Sequence, residues 1–291
     1  MGKYKKIYKI LNCSIDIPIN DIDGWKMNKE HRWIYNKMRL CEYQGTEHGP
    51  MPIEPEKYPI IIKPIVNIYG MGLNIIKVNN KDEFYDNWYN NNFWMEYFEG
   101  EHLSWDIIIY NGKIKYHTCF KGYKDKEVIG KFDYWESMEK ELPEIVKRLI
   151  GDHFKTYYGC LNIETIDNKM IEGHLRMGDI DCFPTLEILK GIIATYKKEE
   201  YNWDIKVDKV FFYPVWGKEA EEAEDDDVYE YMKKDIVPLL EKNIYIHDYG
   251  VDDEGLSSPS DKFRRLMWFT CSYKEFGERI RELIYERIQN R

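Results

Sequence analysis

Residues 159–175 read GCLNIETIDNKMIEGHL and carry the pattern that decides the fold. Two apolar-rich runs flank Asp167 and Asn168, which predicts an antiparallel hairpin that turns at these two residues. Glu164 and Glu172 stand at equal distances from residue 168, so we expect them to face each other on one face of the hairpin. Because two facing carboxylates repel each other, a positive group is expected between them.

The end of this hairpin adds a histidine and an arginine. Alternate residues of a strand share a face, so Glu172, His174 and Arg176 are expected on the same face as Glu164. Carboxylate oxygens suit Mg²⁺, which also binds phosphate oxygens and keeps several waters. The pattern therefore predicts a magnesium and phosphate site, while a solvated polar face of the hairpin is the plainer interpretation.

A second segment supplies a candidate phosphate site. Residues 58–78 read YPIIIKPIVNIYGMGLNIIKV, a strand-like apolar run with Lys63 in its middle and with Gly70 and Gly72 after it. An ammonium group is a point charge for phosphate oxygens, and glycines let backbone N–H groups approach phosphates closely. The alternative interpretation is that Lys63 lies on an edge strand and protects it against aggregation.

Composition and charge narrow the class of protein. The chain has 291 residues, of which 43% are hydrophobic and 32% charged, as in soluble proteins of one large domain or two to three packed lobes. A net charge of −10 without a basic face argues against nucleic acid as the main partner. The six cysteines form no CxxC pair, which favours reduced thiols over a zinc site. No apolar run is long enough for a membrane span, and the N-terminus lacks a signal-peptide pattern, so a cytoplasmic location is expected.

Periodicity and turn signals predict a mixture of strands and helices. Strands are predicted at residues 4–18, 60–66, 73–78, 93–98 and 208–217, with a further hairpin at 103–120 around Asn111 and Gly112. Helices are predicted at residues 31–45, 79–91, 137–154, 185–199, 228–242 and 272–288. The proline-rich residues 46–59 are predicted to form a loop, and the acidic run 218–227 an exposed helix start or loop. Hairpins with interspersed helices are typical of an α+β protein.

The order of these features resembles the ATP-grasp superfamily over roughly residues 30–195. The matching stretches are YNKMRL with Lys37, IIIKPI with Lys63, NIYGMG with Gly70 and Gly72, MEYFEGEHLSWDI around Glu96, and IEGHLRMGD with Glu172 and Arg176. The chain is also similar to a little-characterised group with KPixNxxGMG and NxETixxxxIExHLR motifs.

The resemblance implies an ATP-grasp fold, in which two α+β lobes with antiparallel sheets grip a nucleotide. Residues 1–30 would then be a reduced N-terminal segment. Residues 31–103 would form the first lobe, residues 104–199 the second, and residues 200–291 a C-terminal α/β extension.

The resemblance also implies roles for the residues that bind the nucleotide. Lys37 and Lys63 would contact the phosphates, and the loop of Gly70, Met71 and Gly72 would close over them. The hinge would meet the adenine, and an acid after the hinge would hold the ribose. The hinge residues are Glu96, Tyr97 and Phe98, and the ribose candidate is Glu101, or His102 in the alternative register.

The remaining roles belong to the hairpin. Glu164 and Glu172 would ligate Mg²⁺, with Asn162 as the alternative to Glu164. Arg176 would stabilise the transferred phosphoryl group. His174 stands where the superfamily has an asparagine ligand, and since histidine binds Mg²⁺ poorly, it is expected to contact phosphate or to act as an acid or base.

The implied activity is that of an ATP- and Mg²⁺-dependent ligase, which activates a carboxylate as an acyl phosphate and joins it to an amine or thiol. The expected partners are ATP and a small-molecule or peptide substrate. The sequence leaves three alternatives open: a kinase on the same fold, a non-catalytic nucleotide-binding protein, and a structural or interaction protein.

Overall fold

Two antiparallel sheets form the frame of the molecule. The computed structural model describes residues 13–68, 74–87, 89–124, 130–178, 185–217, 230–251 and 265–290. The smaller sheet has the order β1-β4-β2-β3. Its strands are β1 (His48–Pro50), β2 (Ile60–Pro64), β3 (Ile76–Val78) and β4 (Asn92–Glu96).

The larger sheet contains the predicted metal hairpin. Its strands are β5 (His102–Tyr110), β6 (Lys113–Lys124), β7 (Phe132–Met138), β8 (Gly159–Ile166), β9 (Lys169–His174), β10 (Phe211–Trp216), β11 (Ile246–Val251) and β12 (Arg265–Cys271). They lie in the order β11-β12-β10-β7-β6-β5-β8-β9. The hairpin β8–β9 therefore forms one edge of this sheet.

Helices connect and cover the sheets. They are α1 (Asp21–Met27), a 3₁₀ helix (Lys29–Tyr35), α2 (Lys37–Gln44), α3 (Lys81–Asp86), α4 (Glu144–His153), α5 (Leu186–Lys197), a π-helical turn (Met232–Ile236), α6 (Val237–Glu241) and α7 (Lys274–Gln289). Within the described ranges, none of them is long and apolar enough to span a membrane.

Two-residue turns close both predicted hairpins, and each hairpin has a register shift further from its turn, between Ile108 and Ile109 and between Glu164 and Thr165. Asn111 and Gly112 have φ angles of 47° and 72°, and Asp167 and Asn168 have φ angles of 49° and 62°. Two successive positive φ values match the right-handed twist of the flanking strands, which is why Asn, Asp and Gly are favoured there. Both hairpins are confirmed where the sequence places them.

The larger sheet is buried on both faces, which makes β5 apolar along most of its length. On one face α4 packs against β5 and β8 through Leu149 and Ile150. On the other face α5 packs through Ile188 and Ile192. The helices α6 and α7 cover the far end, over β10 and β12. Most of the polar residues that remain buried in this sheet lie in β5, β8 and β9.

Several predicted elements differ in extent. The predicted helix 137–154 begins only at Glu144, because its first residues belong to β7 and Pro143 is suited to a helix start. The predicted helix 31–45 is broken at Asn36, whose side chain accepts from the backbone N–H of Arg39 and starts α2. It ends at Gly45 in the left-handed conformation, as predicted.

Other differences concern strands. The predicted strand 4–18 is absent from residues 13–18, and its first part lies outside the described residues. The proline-rich segment 46–59 contains β1 rather than being all loop, and the predicted strand 73–78 is ordered as a strand only from Ile76. The strands β11 and β12 were not predicted. The acidic run 218–227 and the loop of Gly70, Met71 and Gly72 lie outside the described residues.

The predicted lobe boundaries stay a prediction. The predicted boundary between the two lobes, after residue 103, falls just inside β5, where the chain passes from the smaller sheet to the larger one. Three strands of the predicted C-terminal extension continue the sheet that carries the metal hairpin: β10 pairs with β7, β12 with β10, and β11 with β12.

Candidate active site

The two predicted metal ligands face each other across the β8–β9 hairpin. Glu164 pairs directly with Glu172, and Asn162 pairs with His174. Both glutamate side chains are mostly buried, with 27% and 17% of their surface exposed. The predicted facing pair is therefore confirmed as geometry, and it depends on the register shift between Glu164 and Thr165 as well as on the turn.

Two lysines from other elements converge on β9. Lys37, the first residue of α2, places its Nζ 2.8 Å from Oε1 of Glu172. Lys63, from β2 of the smaller sheet, donates to the carbonyl oxygen of Ile171 at 2.9 Å. Both lysines are buried. The cations that the sequence assigns to phosphates thus lie beside the carboxylates that it assigns to the metal.

Burial and charge set the protonation of this cluster. Burial lowers the pKa of Lys63 to about 8, and the nearby charge of Lys37 lowers it as well. Burial alone would raise the pKa of Glu172, but the attraction of Lys37 and His174 together outweighs it and the pKa is lowered. The Glu172 carboxylate therefore stays ionised at neutral pH.

A histidine on β5 contacts the second carboxylate. His102 Nε2 lies 2.8 Å from Oε2 of Glu164. Burial would raise the pKa of Glu164, but the hydrogen bond and charge of His102 hold it at about 2. The His102 ring packs edge-on against Phe132 and Trp135, at 5.0 and 5.6 Å between ring centroids. These aromatic rings fix the direction in which His102 points.

The two ribose candidates lie on different sides of the chain. Glu101 accepts hydrogen bonds from Lys121, at 2.9 Å, and from Lys140. These lysines lower the pKa of Glu101 to about 2. Successive side chains point to opposite faces, and His102 is the one that reaches Glu164. The structure therefore brings His102, and not Glu101, to the carboxylate pair.

The predicted hinge residues follow β4. Glu96 accepts from Lys169 Nζ at 3.2 Å, so its carboxylate is tied to the β8–β9 turn. The Nζ of Lys77 lies 3.8 Å from the ring centroid of Tyr97, and Phe98 is buried. The hinge thus joins the smaller sheet to the hairpin that carries the carboxylates.

The predicted catalytic pair, His174 and Arg176, is engaged by a residue that the sequence analysis did not single out. Asp21, in α1, accepts from His174 Nδ1 at 2.9 Å and from Arg176 Nη2 at 2.8 Å. Arg176 also donates to the carbonyl oxygen of Met177 at 2.8 Å. Burial would raise the pKa of Asp21, but His174 and Arg176 hold it well below its ordinary value. In sequence, Asp21 resembles any acidic residue in the first turn of a helix.

The side chain of Asn162, the alternative metal ligand, is hydrogen-bonded to other residues. Its Nδ2 donates to Ser104 Oγ at 2.9 Å and to Asp106 Oδ1 at 3.0 Å. Asp106 also accepts from the backbone N–H of Gly178, and both side chains are buried. The structure therefore favours Glu164 over Asn162 as the partner of Glu172.

The carboxylate pair fits Mg²⁺. In the part of the chain that the structure describes, no group of three or more His, Cys, Asp or Glu side chains is arranged to hold a metal ion. Mg²⁺ does not require such a group, because it is commonly held by one or two carboxylates, water and substrate phosphates. Glu164 and Glu172 supply ionised oxygen donors of this kind.

Comparison with known proteins identifies the fold. No protein-family model and no curated protein sequence matches this chain. An L-amino acid ligase from Bacillus licheniformis superposes with a TM-score of 0.56 at 12% identity, over 97% of this chain and 75% of that chain. A carboxyaminoimidazole ribonucleotide synthase from Aspergillus clavatus, complexed with ATP, gives 0.60 at 10% identity, over 90% and 75%.

A third solved structure holds a nucleotide with magnesium. The biotin carboxylase domain of a Hydrogenobacter thermophilus carboxylase, in complex with MgADP and bicarbonate, gives a TM-score of 0.53 at 15% identity, over 86% of this chain and 63% of that chain. At such identities the likeness establishes the fold alone. The chain has the α+β architecture of the ATP-grasp fold, as its sequence predicts.

Proposed function

We propose that this protein is an ATP-dependent ligase, which activates a carboxylate as an acyl phosphate and joins it to an amine or thiol. The observation that carries the proposal is the facing pair Glu164 and Glu172 with Lys37 and Lys63 beside it. An arrangement with two buried carboxylates and two buried ammonium groups is costly to desolvate. A site for Mg²⁺ and a polyphosphate gives such a cluster a purpose.

In this proposal each described residue has a defined task. Lys37 and Lys63 bind phosphate oxygens, and Glu164 and Glu172 hold Mg²⁺. Bound Mg²⁺ neutralises the negative charge of the phosphates. The hinge of Glu96, Tyr97 and Phe98 holds the adenine, and His102 is the better placed candidate for the ribose. Neither the transfer of the phosphoryl group to the carboxylate nor the displacement of phosphate by a nucleophile needs a covalent bond to the protein. The residues therefore act by positioning and by charge.

The related folds support the same chemistry without proving it for this chain. One of the solved neighbours is an amino acid ligase, one was complexed with ATP, and one with MgADP. The substrate of this chain, whether a small molecule or a peptide, stays open. A kinase and a non-catalytic nucleotide-binding protein are therefore outcomes that the test must separate.

The first test is nucleotide binding. A ligand that binds only the folded state stabilises it by about 2.7 kcal/mol at 100 times its dissociation constant, which corresponds to a shift of about 5 °C or more for a chain of this size. We expect such a shift with ATP and Mg²⁺, and a smaller one with either alone. No shift at millimolar ATP with Mg²⁺ would contradict a nucleotide-dependent activity.

The second test is turnover with pools of amino acids and short peptides. We expect Glu172→Gln to lower ADP formation by at least about 100-fold, since charge stabilisation by a metal is worth several kcal/mol. The matched control is Glu144→Gln, because Glu144 is an exposed residue of α4. Wild-type ADP formation by Glu172→Gln would exclude the metal assignment. Phosphate and a condensed product identify a ligase, whereas a phosphorylated acceptor identifies a kinase.

A further inference from the structure

Asp21 is an unusual residue for the start of a short helix. Acidic residues in a first helical turn usually lie in water, but only 4% of Asp21 is exposed. Its neighbour in the same turn, Asp23, is only partly buried and has no contact with the β8–β9 hairpin among its hydrogen bonds. A carboxylate without water must be paired and hydrogen-bonded to be tolerated. The groups that Asp21 contacts therefore explain why a carboxylate is tolerated at this buried position.

Both carboxylate oxygens of Asp21 have a partner from the end of β9. Oδ1 accepts from His174 Nδ1 at 2.9 Å, and Oδ2 accepts from Arg176 Nη2 at 2.8 Å. A carboxylate beside one imidazole nitrogen fixes the proton on that nitrogen. The other nitrogen, Nε2, lies 3.6 Å from Oε1 of Glu172. His174 thus links Asp21 to one of the two facing carboxylates.

Backbone packing places Asp21 independently of these charges. A Cβ on Gly24 would lie 2.5 Å from the hydroxyl of Tyr35 and 2.9 Å from the carbonyl oxygen of Leu175, so α1 lies directly on the end of β9. The same hydroxyl accepts from the backbone N–H of Leu175 at 3.1 Å and donates to the carbonyl oxygen of Asp21 at 3.4 Å. These contacts hold α1, β9 and the 3₁₀ helix together.

We propose that Asp21 is a positioning residue of the site. It holds His174 with the proton on Nδ1 and with Nε2 towards Glu172, and it holds Arg176 at the end of β9. Side chains that orient the groups around a metal site commonly use this carboxylate–histidine contact. In this assignment Arg176 acts through Asp21 and the chain after β9, rather than by contact with the transferred phosphoryl group.

This arrangement fixes the position of one proton of His174. In the wild-type protein Nδ1 of His174 carries hydrogen whether the ring is neutral or charged. In Asp21→Asn the amide oxygen is expected to face Arg176, which can only donate. The amide N–H is then left to donate to His174, so Nδ1 is expected to become an acceptor. The same substitution also removes the charge that Arg176 Nη2 meets.

Nitrogen-15 NMR of the imidazole rings measures whether Nδ1 of His174 carries this proton, and it needs no ligand. The chain has seven histidines, and the His174 signals are identified by their loss in His174→Asn. We expect a protonated Nδ1 in the wild type and in the matched control Asp23→Asn, and an unprotonated Nδ1 in Asp21→Asn. An unprotonated Nδ1 in the wild type, or an unchanged ring in Asp21→Asn, would overturn the proposal. Once the His174 signals are assigned, the wild-type measurement decides even if Asp21→Asn does not fold.

Calorimetric titration with ATP and Mg²⁺ tests the effect on the site, and this part rests on the proposed function. We expect Asp21→Asn to weaken binding about 10-fold or more, and Asp23→Asn to leave it unchanged. In the His174→Asn background the effect of Asp21→Asn should largely disappear, because the two residues act as a unit. Equal losses in both backgrounds would contradict the role assigned to His174. If the wild type binds no ATP, the proposed function fails, while the NMR result still decides the position of the proton.

Discussion

The ammonium group of Lys63, in β2, donates to the carbonyl oxygen of Ile171, in β9, at a distance of 2.9 Å. This bond joins a central strand of the smaller sheet to the edge strand of the larger one, next to Glu172. Only 5% of Lys63 is exposed, and its pKa is lowered to about 8 by burial and by Lys37. Lys63 therefore places a charge between the two sheets, where its burial is unfavourable for the stability of the fold.

Lys63→Met is expected to separate stability from binding. Because the charged form of Lys63 is disfavoured in the folded state, methionine should leave the melting temperature unchanged or raise it by up to about 5 °C. Affinity for ATP should fall about 10-fold or more, because a charged group at phosphate is lost. Differential scanning fluorimetry and calorimetric titration measure the two effects.

The control for this experiment is Lys57→Met, since Lys57 is an exposed lysine just before β2. It should change neither quantity. A Lys63→Met variant that melts much earlier but binds ATP normally would show that Lys63 is a structural lysine that joins β2 to β9. The edge-strand interpretation is wrong, because β2 lies between β4 and β3.

Replacing two helical glycines by alanine should have opposite effects. A Cβ on Gly277, in α7, would lie 2.1 Å from Cε2 of Tyr213, and that ring is buried between Tyr134 and Phe269. Gly277→Ala should therefore lower the free energy of unfolding by about 1–3 kcal/mol. A Cβ on Gly151, in α4, meets nothing within 4 Å. Gly151→Ala should raise stability by up to about 1 kcal/mol, and urea denaturation of both variants measures the difference. Equal shifts would contradict the packing of α7 on β10.

Most thiols of the described residues should resist alkylation in the folded protein. Burial raises the pKa of Cys41 to about 11 and those of Cys119 and Cys271 to about 12, and it raises the pKa of Cys160 as well. Since the thiolate is the reactive form, an alkylating reagent at pH 8 should label, among the five cysteines of the described residues, only Cys13 within minutes. All six cysteines should react in guanidinium chloride. Mass spectrometry of the labelled peptides identifies the sites, and rapid labelling of Cys160 in the native state would contradict the burial of β8.

His31 should make stability fall in mild acid. Its ring stacks on Phe154 and meets the edge of Tyr157, and burial lowers its pKa although Glu30 opposes this. In the unfolded chain the ring takes up a proton near pH 6.5, but in the folded chain only at a lower pH. The unfolded state therefore binds more protons in this window, and the free energy of unfolding decreases as the pH falls below about 6.5.

The comparison of variants isolates this effect from that of other groups. His31→Phe keeps an aromatic ring between Phe154 and Tyr157, so it should show a smaller loss of stability between pH 7.5 and pH 5.5. His247→Phe is the control, because His247 is exposed and should leave the wild-type pH dependence unchanged. Urea denaturation at several pH values gives the measurement. A His31→Phe protein with the full wild-type loss would exclude His31 as its source.

The features that sequence analysis predicts well are those set by neighbouring residues. The turn at Asp167 and Asn168 is such a feature. The turn and the two-residue period alone would pair Glu164 with Ile171, and a register shift between Glu164 and Thr165 brings Glu164 opposite Glu172. The break at Asn36 was missed because a side-chain cap competes there with a continuous apolar pattern. The strand β12 is a nearly unbroken apolar run, and it shows no alternation because both of its faces are covered.

The sequence by itself determined the two hairpin turns and the lysine before the glycine-rich loop, because each depends on a short stretch of chain. The structure added the register shift that brings Glu164 opposite Glu172. Only the tertiary structure decided which cation meets which carboxylate. Lys37 rather than Lys63 pairs with Glu172, and His102 meets Glu164. It also brought Asp21 to His174 across 153 positions of sequence. Such contacts depend on how the helices pack against the sheet, and the local periodicity of the sequence does not predict this packing.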